Sequence, residues 1–211
     1  MNMSLPIDIF NNAWLRCDVH TVVYAYTSKN TTAAFDTDEI LRAEWVARVS
    51  ALDLYIHELV AQKMVDIFKG IRLSTKNYEK FMLPHKVVDD IRNAPTLAVA
   101  GEIFNLEVRR QLGFVTYQTE NSIADGIRLV SQIELWRQVA IHFGAPTKNV
   151  DVKAKSLRNQ LNSIVDRRNK IAHEGDMQPI TPRQPWPISS QELITVKSFI
   201  ESLVKAIDSL V

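Results

Sequence analysis

The chain has a single cysteine, no long apolar run and almost no net charge, and these shortages exclude several classes of protein. Cys17 is alone among 211 residues, so neither an intrachain disulfide nor a zinc site built on cysteines can form. No run of about 18 apolar residues occurs, and the amino terminus lacks a basic segment ahead of an apolar one. We therefore expect a soluble, cytoplasmic protein with no membrane partner.

Histidines are also few and scattered. The five of them include no H-x-x-x-H or similar pair, which is the usual signature of a metal site on a helix. There is no glycine-rich phosphate loop either. We expect no metal and no other cofactor, and distant carboxylates are the one remaining route to a metal site.

The formal net charge of +1 does not mark a nucleic-acid binder, but the basic residues are concentrated in one segment. Residues 147–170 contain two acidic side chains, Asp151 and Asp166. Phosphate attraction acts locally, so this segment can contact an RNA backbone; the alternative is that its charges only solvate a helix face. Its seven basic residues are Lys148, Lys153, Lys155, Arg158, Arg167, Arg168 and Lys170.

Apolar residues recur at helical spacing along most of the chain, and no alternating strand pattern appears. We predict an all-α bundle of five or more helices in a single domain, 1–211. Residues 1–35 supply an amino-terminal helix and loop, short helices flank Pro84, and 177–188 is a proline-rich loop within the domain. The longer helices are predicted at 8–27, 37–68, 95–112, 121–144, 155–174 and from 189 to the carboxyl terminus.

The helix at 37–68 has the strongest periodicity and is predicted to be the central member of the bundle. Asp36, with Glu39 three residues later, is predicted to cap its start, and Gly70 to end it. A helix of this length spans about 50 Å. Its apolar stripe consists of Leu41, Trp45, Val49, Leu52, Ile56, Leu59 and Met64.

The helix at 155–174 has an arginine, Arg168, where its apolar ridge should continue. An arginine at such a position needs a partner or a function. Beside the ridge, hydrogen-bonding side chains at i, i+4, i+7 and i+11 form a polar stripe, and Gly175 is predicted to stop the helix. The ridge consists of Leu157, Leu161, Ile164, Ile171 and Ala172, and the stripe of Asn162, Asp166, Asn169 and His173.

The string from Arg167 to Asp176 resembles the R-[polar]-x3-H motif of HEPN-domain proteins, in particular the RiboL-PSP branch. The likeness extends to residues 50–57 and 121–144, and so covers the chain from about residue 36 onward. It implies an all-helical, dimeric, metal-independent ribonuclease of the kind found in toxin–antitoxin and anti-phage systems. Some HEPN toxins have a tyrosine two residues after the histidine that a partner nucleotidyltransferase modifies, and here that position is Gly175.

RNA supplies its own nucleophile, the 2′-hydroxyl, so cleavage requires proton transfer and stabilisation of the charged phosphorane. His173 is assigned as general base or acid, because both forms of an imidazole are available near neutral pH. Arg168 is assigned as the phosphate clamp and Asn169 as an orienting group. The expected products are a 2′,3′-cyclic phosphate and a 5′-hydroxyl, with no metal required.

Five further residues are placed around this site as substrate-binding or supporting groups. Asp53 and His57 are expected to approach Arg168 from the long helix, because an arginine in an apolar ridge favours a carboxylate. The alternative is purely structural: Arg168 pairs with Asp166, Asp53 or Glu174, and His173 caps its helix. The five residues are Arg167, Lys170, Asp53, His57 and Asp166.

Arg168 and His173 are about 140° apart around their helix, so they do not point at one phosphate. Two copies of the chain related by a two-fold axis would place two arginines and two histidines in one cleft. We therefore expect a homodimer, as the resemblance also implies. The resemblance further implies an RNA partner, such as a structured tRNA loop, and an antitoxin or neighbouring defence protein. The alternatives are an inactive module that binds RNA or protein through the same basic face, and a structural dimer without RNA.

Overall fold

A computed structural model describes residues 5–32 and 35–211, and within these ranges the chain forms eight α-helices and no strand. The predicted all-α helical bundle is confirmed. Short 3-10 turns occur at Tyr78–Lys80 and Thr147–Asn149. The helices are α1 (Pro6–Asn30), α2 (Asp38–Phe68), α3 (His85–Arg92), α4 (Leu97–Leu112), α5 (Glu120–Val130), α6 (Leu135–His142), α7 (Val150–Glu174) and α8 (Ser190–Leu210).

The central helix is α2, as predicted. It packs against α1, α4, α5, α7 and α8, and all seven residues of its predicted apolar stripe are buried. Its 31 residues span about 46 Å. The predicted Asp36 cap is only partly right: Thr37 precedes the helix, and Asp36 accepts a hydrogen bond from the Asp38 amide at 3.0 Å. Gly70 follows the helix with φ +72°, as its role as a stop requires.

The single helix predicted at 121–144 is wrong, because residues 131–134 divide it into α5 and α6. The carbonyl groups at the end of α5 are bound by an earlier segment of the chain. The Thr75 hydroxyl donates to the carbonyls of Arg128 and Leu129, and Arg72 Nε donates to that of Val130. Carbonyls that already have such partners no longer need a continuing helix to satisfy them.

Helix starts differ from prediction wherever a side-chain cap was misassigned. Thr96, rather than Pro95, marks the start of α4, because its hydroxyl accepts the Val99 amide. α5 begins at Glu120, one residue before the predicted start at 121, because Thr119 caps it and Ser122 completes a reciprocal capping box with Thr119. α7 begins five residues earlier than predicted, and α1 is longer at both ends.

The carboxyl-terminal part of α7 extends beyond the core. Its last buried residue is Val165, and Gly175 then ends the helix with φ +62°, as predicted. After the proline-rich loop at 177–188, α8 begins close to its predicted start at 189, with a capping box formed by Ser189 and Glu192. Within the described part of the chain, no helix has both the length and the apolar content needed to cross a membrane.

Candidate functional site

The last turns of α7 carry the three residues predicted to be catalytic. Arg168 and Asn169 are half-buried, and His173 is exposed. Nη1 of Arg168 donates to Oδ1 of Asn169 at 3.0 Å, so the amide holds one corner of the guanidinium group. Asn169 therefore contacts Arg168 in the folded chain, and its role as an orienting group stays a prediction.

The rest of the Arg168 guanidinium is not engaged by the protein. Its Nε atom is buried and has no hydrogen-bond acceptor among the described residues. Across residues 5–32 and 35–211, no carboxylate lies within ion-pair distance of it, so the structural pairing with Asp166, Asp53 or Glu174 is absent. An arginine that lacks acceptors can bind an anionic group from outside the chain.

Asp53 and His57 belong to a different cluster. Asp53 accepts hydrogen bonds from the Tyr117 amide at 2.6 Å and from Gln118 Nε2 at 2.9 Å, and His57 Nε2 lies 3.5 Å from its Oδ1. Burial raises the pKa of Asp53, but the hydrogen bonds from His57, Gln118 and Tyr117 outweigh it and leave the pKa below its ordinary value. This carboxylate holds the segment before α5 against α2.

The register of α2 against α7 explains why this cluster is remote from Arg168. Trp45 Nε1 donates to the Ile164 carbonyl at 3.0 Å, and Arg42 lies beside Arg167 because both bind the same carboxylate, so the helices run antiparallel. Asp53 is then level with about Ser156, roughly 18 Å along the helix from Arg168. The expectation that Asp53 or His57 approaches Arg168 is not met within the chain.

The carboxylate shared by Arg42 and Arg167 is that of Asp176, which the sequence analysis did not single out. Asp176 is fully buried, and its Oδ2 accepts from Arg42 Nε at 3.0 Å and from Arg167 Nη2 at 2.7 Å. Its carbonyl accepts the Trp186 amide at 2.8 Å, and its φ is +56°. Asp176 thus joins the start of α2, the end of α7 and the proline-rich loop. Arg167, which was expected to support the site, makes a structural contact with this carboxylate.

Asp166 and Lys170, the other two expected supporting residues, are exposed on α7. Together with Arg167 they line a groove of about 560 Å³ between α7 and α8. Lys170 Nζ lies 6.0 Å from the centre of the Trp186 ring, at the limit of a cation–π contact. The basic groups near the motif are therefore presented on an open surface next to the proline-rich loop.

Comparison with known proteins gives one match. The sequence profile of the RiboL-PSP-HEPN family matches residues 25–211. No curated protein and no solved structure matches the chain. The matched region contains α2 to α8 and the whole motif, whereas most of α1 precedes it.

Proposed function

The chain belongs to the RiboL-PSP-HEPN family, and from this premise we propose that it is a metal-independent endoribonuclease. Family membership by itself supports a nuclease-type or RNA-binding role for the protein. The observation that supports RNA cleavage is the half-buried Arg168, which is held by Asn169 and has no carboxylate partner in the described chain. The cleaved bond would be the phosphodiester next to an attacking 2′-hydroxyl.

His173 would transfer the proton. It is exposed one turn after Asn169, at the end of α7, where a substrate hydroxyl can reach it. It would accept the proton of the 2′-hydroxyl or donate one to the leaving 5′-oxygen. The phosphorus–oxygen bond to the 5′-oxygen would then break, leaving a 2′,3′-cyclic phosphate and a 5′-hydroxyl.

Arg168 would bind the phosphate. Its guanidinium group matches phosphate oxygens in geometry and keeps its charge throughout the reaction. Asn169 engages Nη1 and Nε is buried, so Nη2, which has no acceptor in the described chain, would donate to the phosphorane as its negative charge grows. Lys170 and Arg167 lie on another side of α7, in the groove toward α8, and add positive charge to the surface next to the motif.

A second copy of the chain would complete the site. A single motif supplies one histidine, and its arginine lies about 140° away around the helix. Beyond Val165 the ridge becomes more exposed: Ile171 is half-buried at the edge of the core, and Ala172 is exposed. Covering this end of α7 with its two-fold equivalent would bury apolar surface and place two histidines and two arginines in one cleft.

The proposed biological setting is that of a cytoplasmic toxin or anti-phage effector. RNA, such as a structured tRNA loop, would be the substrate, and an antitoxin or a neighbouring defence protein would control the activity. These partners follow from the family and not from any contact in the fold.

The proposal is tested by incubating the protein with total RNA and a tRNA pool in excess EDTA. Wild type is expected to cleave and to leave cyclic phosphates, detected by end-group analysis. His173→Ala and Arg168→Ala are each expected to lose about 10²- to 10³-fold in rate. His142→Ala and Arg16→Ala, which change the same residue types elsewhere, should cleave as wild type does.

Two results would contradict the proposal. Equal cleavage by wild type, His173→Ala and Arg168→Ala would mean that the activity resides elsewhere or in a contaminant. Retained RNA binding with no cleavage by any variant would favour the catalytically inactive binding module.

A further inference from the structure

A second basic cavity lies away from the motif, between the connection of α5 to α6, the segment at residues 75–77 and α7. Its volume is about 530 Å³. Two acidic residues, Glu134 and Asp151, also line it. Four cationic side chains line its walls: Lys76, Arg128, Arg137 and Arg158.

Two of these cations already have carboxylate partners. Arg137 contacts Asp151 at 2.7 Å and Glu134 at 3.3 Å, so it engages both acids of the cavity wall. Arg128 pairs with Asp125 on the same helix. The acidic groups in and near the cavity are therefore largely neutralised by these two arginines.

The other two cations have no such partner. Within the described part of the chain, neither Lys76 nor Arg158 forms an ion pair, and they enter the cavity from different walls. Arg158 Nε is buried without a hydrogen-bond acceptor. A ligand in the cavity would therefore be bound by the terminal guanidinium nitrogens of Arg158 and by Lys76 Nζ, which have no hydrogen-bond or carboxylate partner in the described chain.

The remaining lining favours an anion with several oxygen atoms. Asn77, Ser131 and Gln132 present amide and hydroxyl groups, and α6 begins at Leu135 in the same wall, where its amino terminus adds positive potential. Trp136 is buried there and is not a free stacking surface. These groups suit a phosphate better than a neutral or apolar ligand.

Arg158 also connects this cavity to the motif. It lies four residues before Asn162 and continues the polar stripe of α7 toward the amino terminus. At 100° per residue, Arg158, Asn162, Asn169 and His173 fall within about 60° of one another. The distance along the helix from Arg158 to His173 is about 22 Å.

We propose that this cavity is a second phosphate-binding subsite for the RNA substrate, occupied by backbone several nucleotides away from the cleaved bond. The inference rests on the proposed ribonuclease function and deepens it. RNA that follows the polar stripe places one phosphate near His173 and another between Lys76 and Arg158. The subsite contributes to affinity and to the length of RNA that is selected, and it takes no part in bond cleavage.

The test compares the binding of two non-cleavable, fully 2′-O-methylated RNAs, of about four and about twelve nucleotides, by fluorescence anisotropy. Arg158→Gln and Lys76→Gln are each expected to weaken binding of the long RNA about tenfold and to leave the short RNA unchanged. The slope of log affinity against log salt should fall by about 0.7 for each lost phosphate contact. Lys153→Gln is the matched control for general charge attraction, since Lys153 lies about 140° around α7 from Arg158 and does not line the cavity. Its effect on the long RNA should be clearly smaller than that of Arg158→Gln.

Several outcomes would overturn the inference. Equal losses for the two RNA lengths would mean that the substitutions disturb the fold or the motif, and thermal unfolding of each variant distinguishes these. Equal losses for Lys153→Gln and Arg158→Gln would indicate general charge attraction. Pyrophosphate or AMP binding that depends on Arg158, together with unchanged long-RNA binding, would assign the cavity to a free phosphorylated compound.

Failure of the nuclease proposal is distinguishable from failure of this one. The binding assay needs no cleavage, so an Arg158-dependent effect of RNA length would support the subsite even if wild type cut no RNA. Conversely, cleavage that depends on His173, without any effect of Arg158 or Lys76 on long-RNA binding, would support the nuclease and overturn the subsite.

Discussion

Two arginines lie within apolar faces of long helices, Arg48 on α2 and Arg168 on α7, and their surroundings differ. Arg48 is fully buried and uses every nitrogen: Nε and Nη2 donate to Glu44, Nη2 also to Asp18, and Nη1 to the Trp14 carbonyl. Arg168 is half-buried, donates to Asn169, and leaves Nε without an acceptor in the described chain.

The difference separates a structural arginine from a candidate functional one. A fully buried guanidinium whose three nitrogens all donate to the protein stabilises one arrangement of the chain, here α1 against α2, and is not accessible to a ligand. A guanidinium with open donors contributes less to folding and can complete its hydrogen bonds with a substrate phosphate. The following predictions test whether this distinction holds, from the largest expected effect to the smallest.

The largest effect on stability is expected for Arg48→Ala. It leaves the fully buried Glu44 carboxylate without its main partner and opens a cavity beside Trp14. Removing one member of a buried ion pair costs about 3–5 kcal/mol, and urea unfolding monitored by circular dichroism measures the loss. Arg16→Ala, which removes an exposed arginine from α1, should change stability by no more than about 0.5 kcal/mol. A loss of similar size in both variants would mean that the buried Arg48 contributes no more to stability than an exposed arginine does.

An intermediate effect is expected for Asp176→Asn. The amide keeps the shape of the side chain but removes the carboxylate that binds Arg167, and it leaves Arg42 with the exposed Glu39 as its acidic partner. The expected cost is about 2–3 kcal/mol. The loss should appear locally as faster hydrogen exchange at the Trp186 amide, which donates to the Asp176 carbonyl. Asp166→Asn is the matched control on the exposed side of α7. If the Trp186 amide exchanged at the same rate in both variants, Asp176 would not hold the proline-rich loop.

The helices of this fold were largely predictable, because their signals are local. The stripe of α2, the glycine stop at Gly175 and the capping box at Ser189 each depend on residues within a few positions of one another. The break at 131–134 was not predictable, because Thr75 and Arg72, more than 50 residues earlier in the chain, bind the carbonyls that end α5. Asp176 and Arg42 are separated by 134 positions, and no local pattern pairs them.

The motif could be located from the sequence because its three residues lie within six positions of one helix. The surroundings of these residues could not be predicted, because they depend on the register between α2 and α7. That register places Asp53 far from Arg168. One available signal was overlooked: Arg48 lies three residues after Trp45 and four before Leu52, inside the apolar stripe. Arg48 interrupts the apolar face of its helix as Arg168 does, so only the structure shows which of the two arginines has carboxylate partners.

The smallest effect on stability is expected for Arg168→Ala, the variant that should lose most of the proposed activity. No carboxylate loses its partner, so the cost is mainly the packing of the side-chain stem, about 0.5–1 kcal/mol. Urea unfolding should be measured at two protein concentrations, because a dimer adds a concentration-dependent contribution to stability. At the lower concentration Arg168→Ala should be at least about 2 kcal/mol more stable than Arg48→Ala. Equal destabilisation would mean that Arg168 holds the fold through contacts comparable to those of Arg48, and a loss of RNA cleavage in Arg168→Ala would then reflect unfolding and not a missing phosphate clamp.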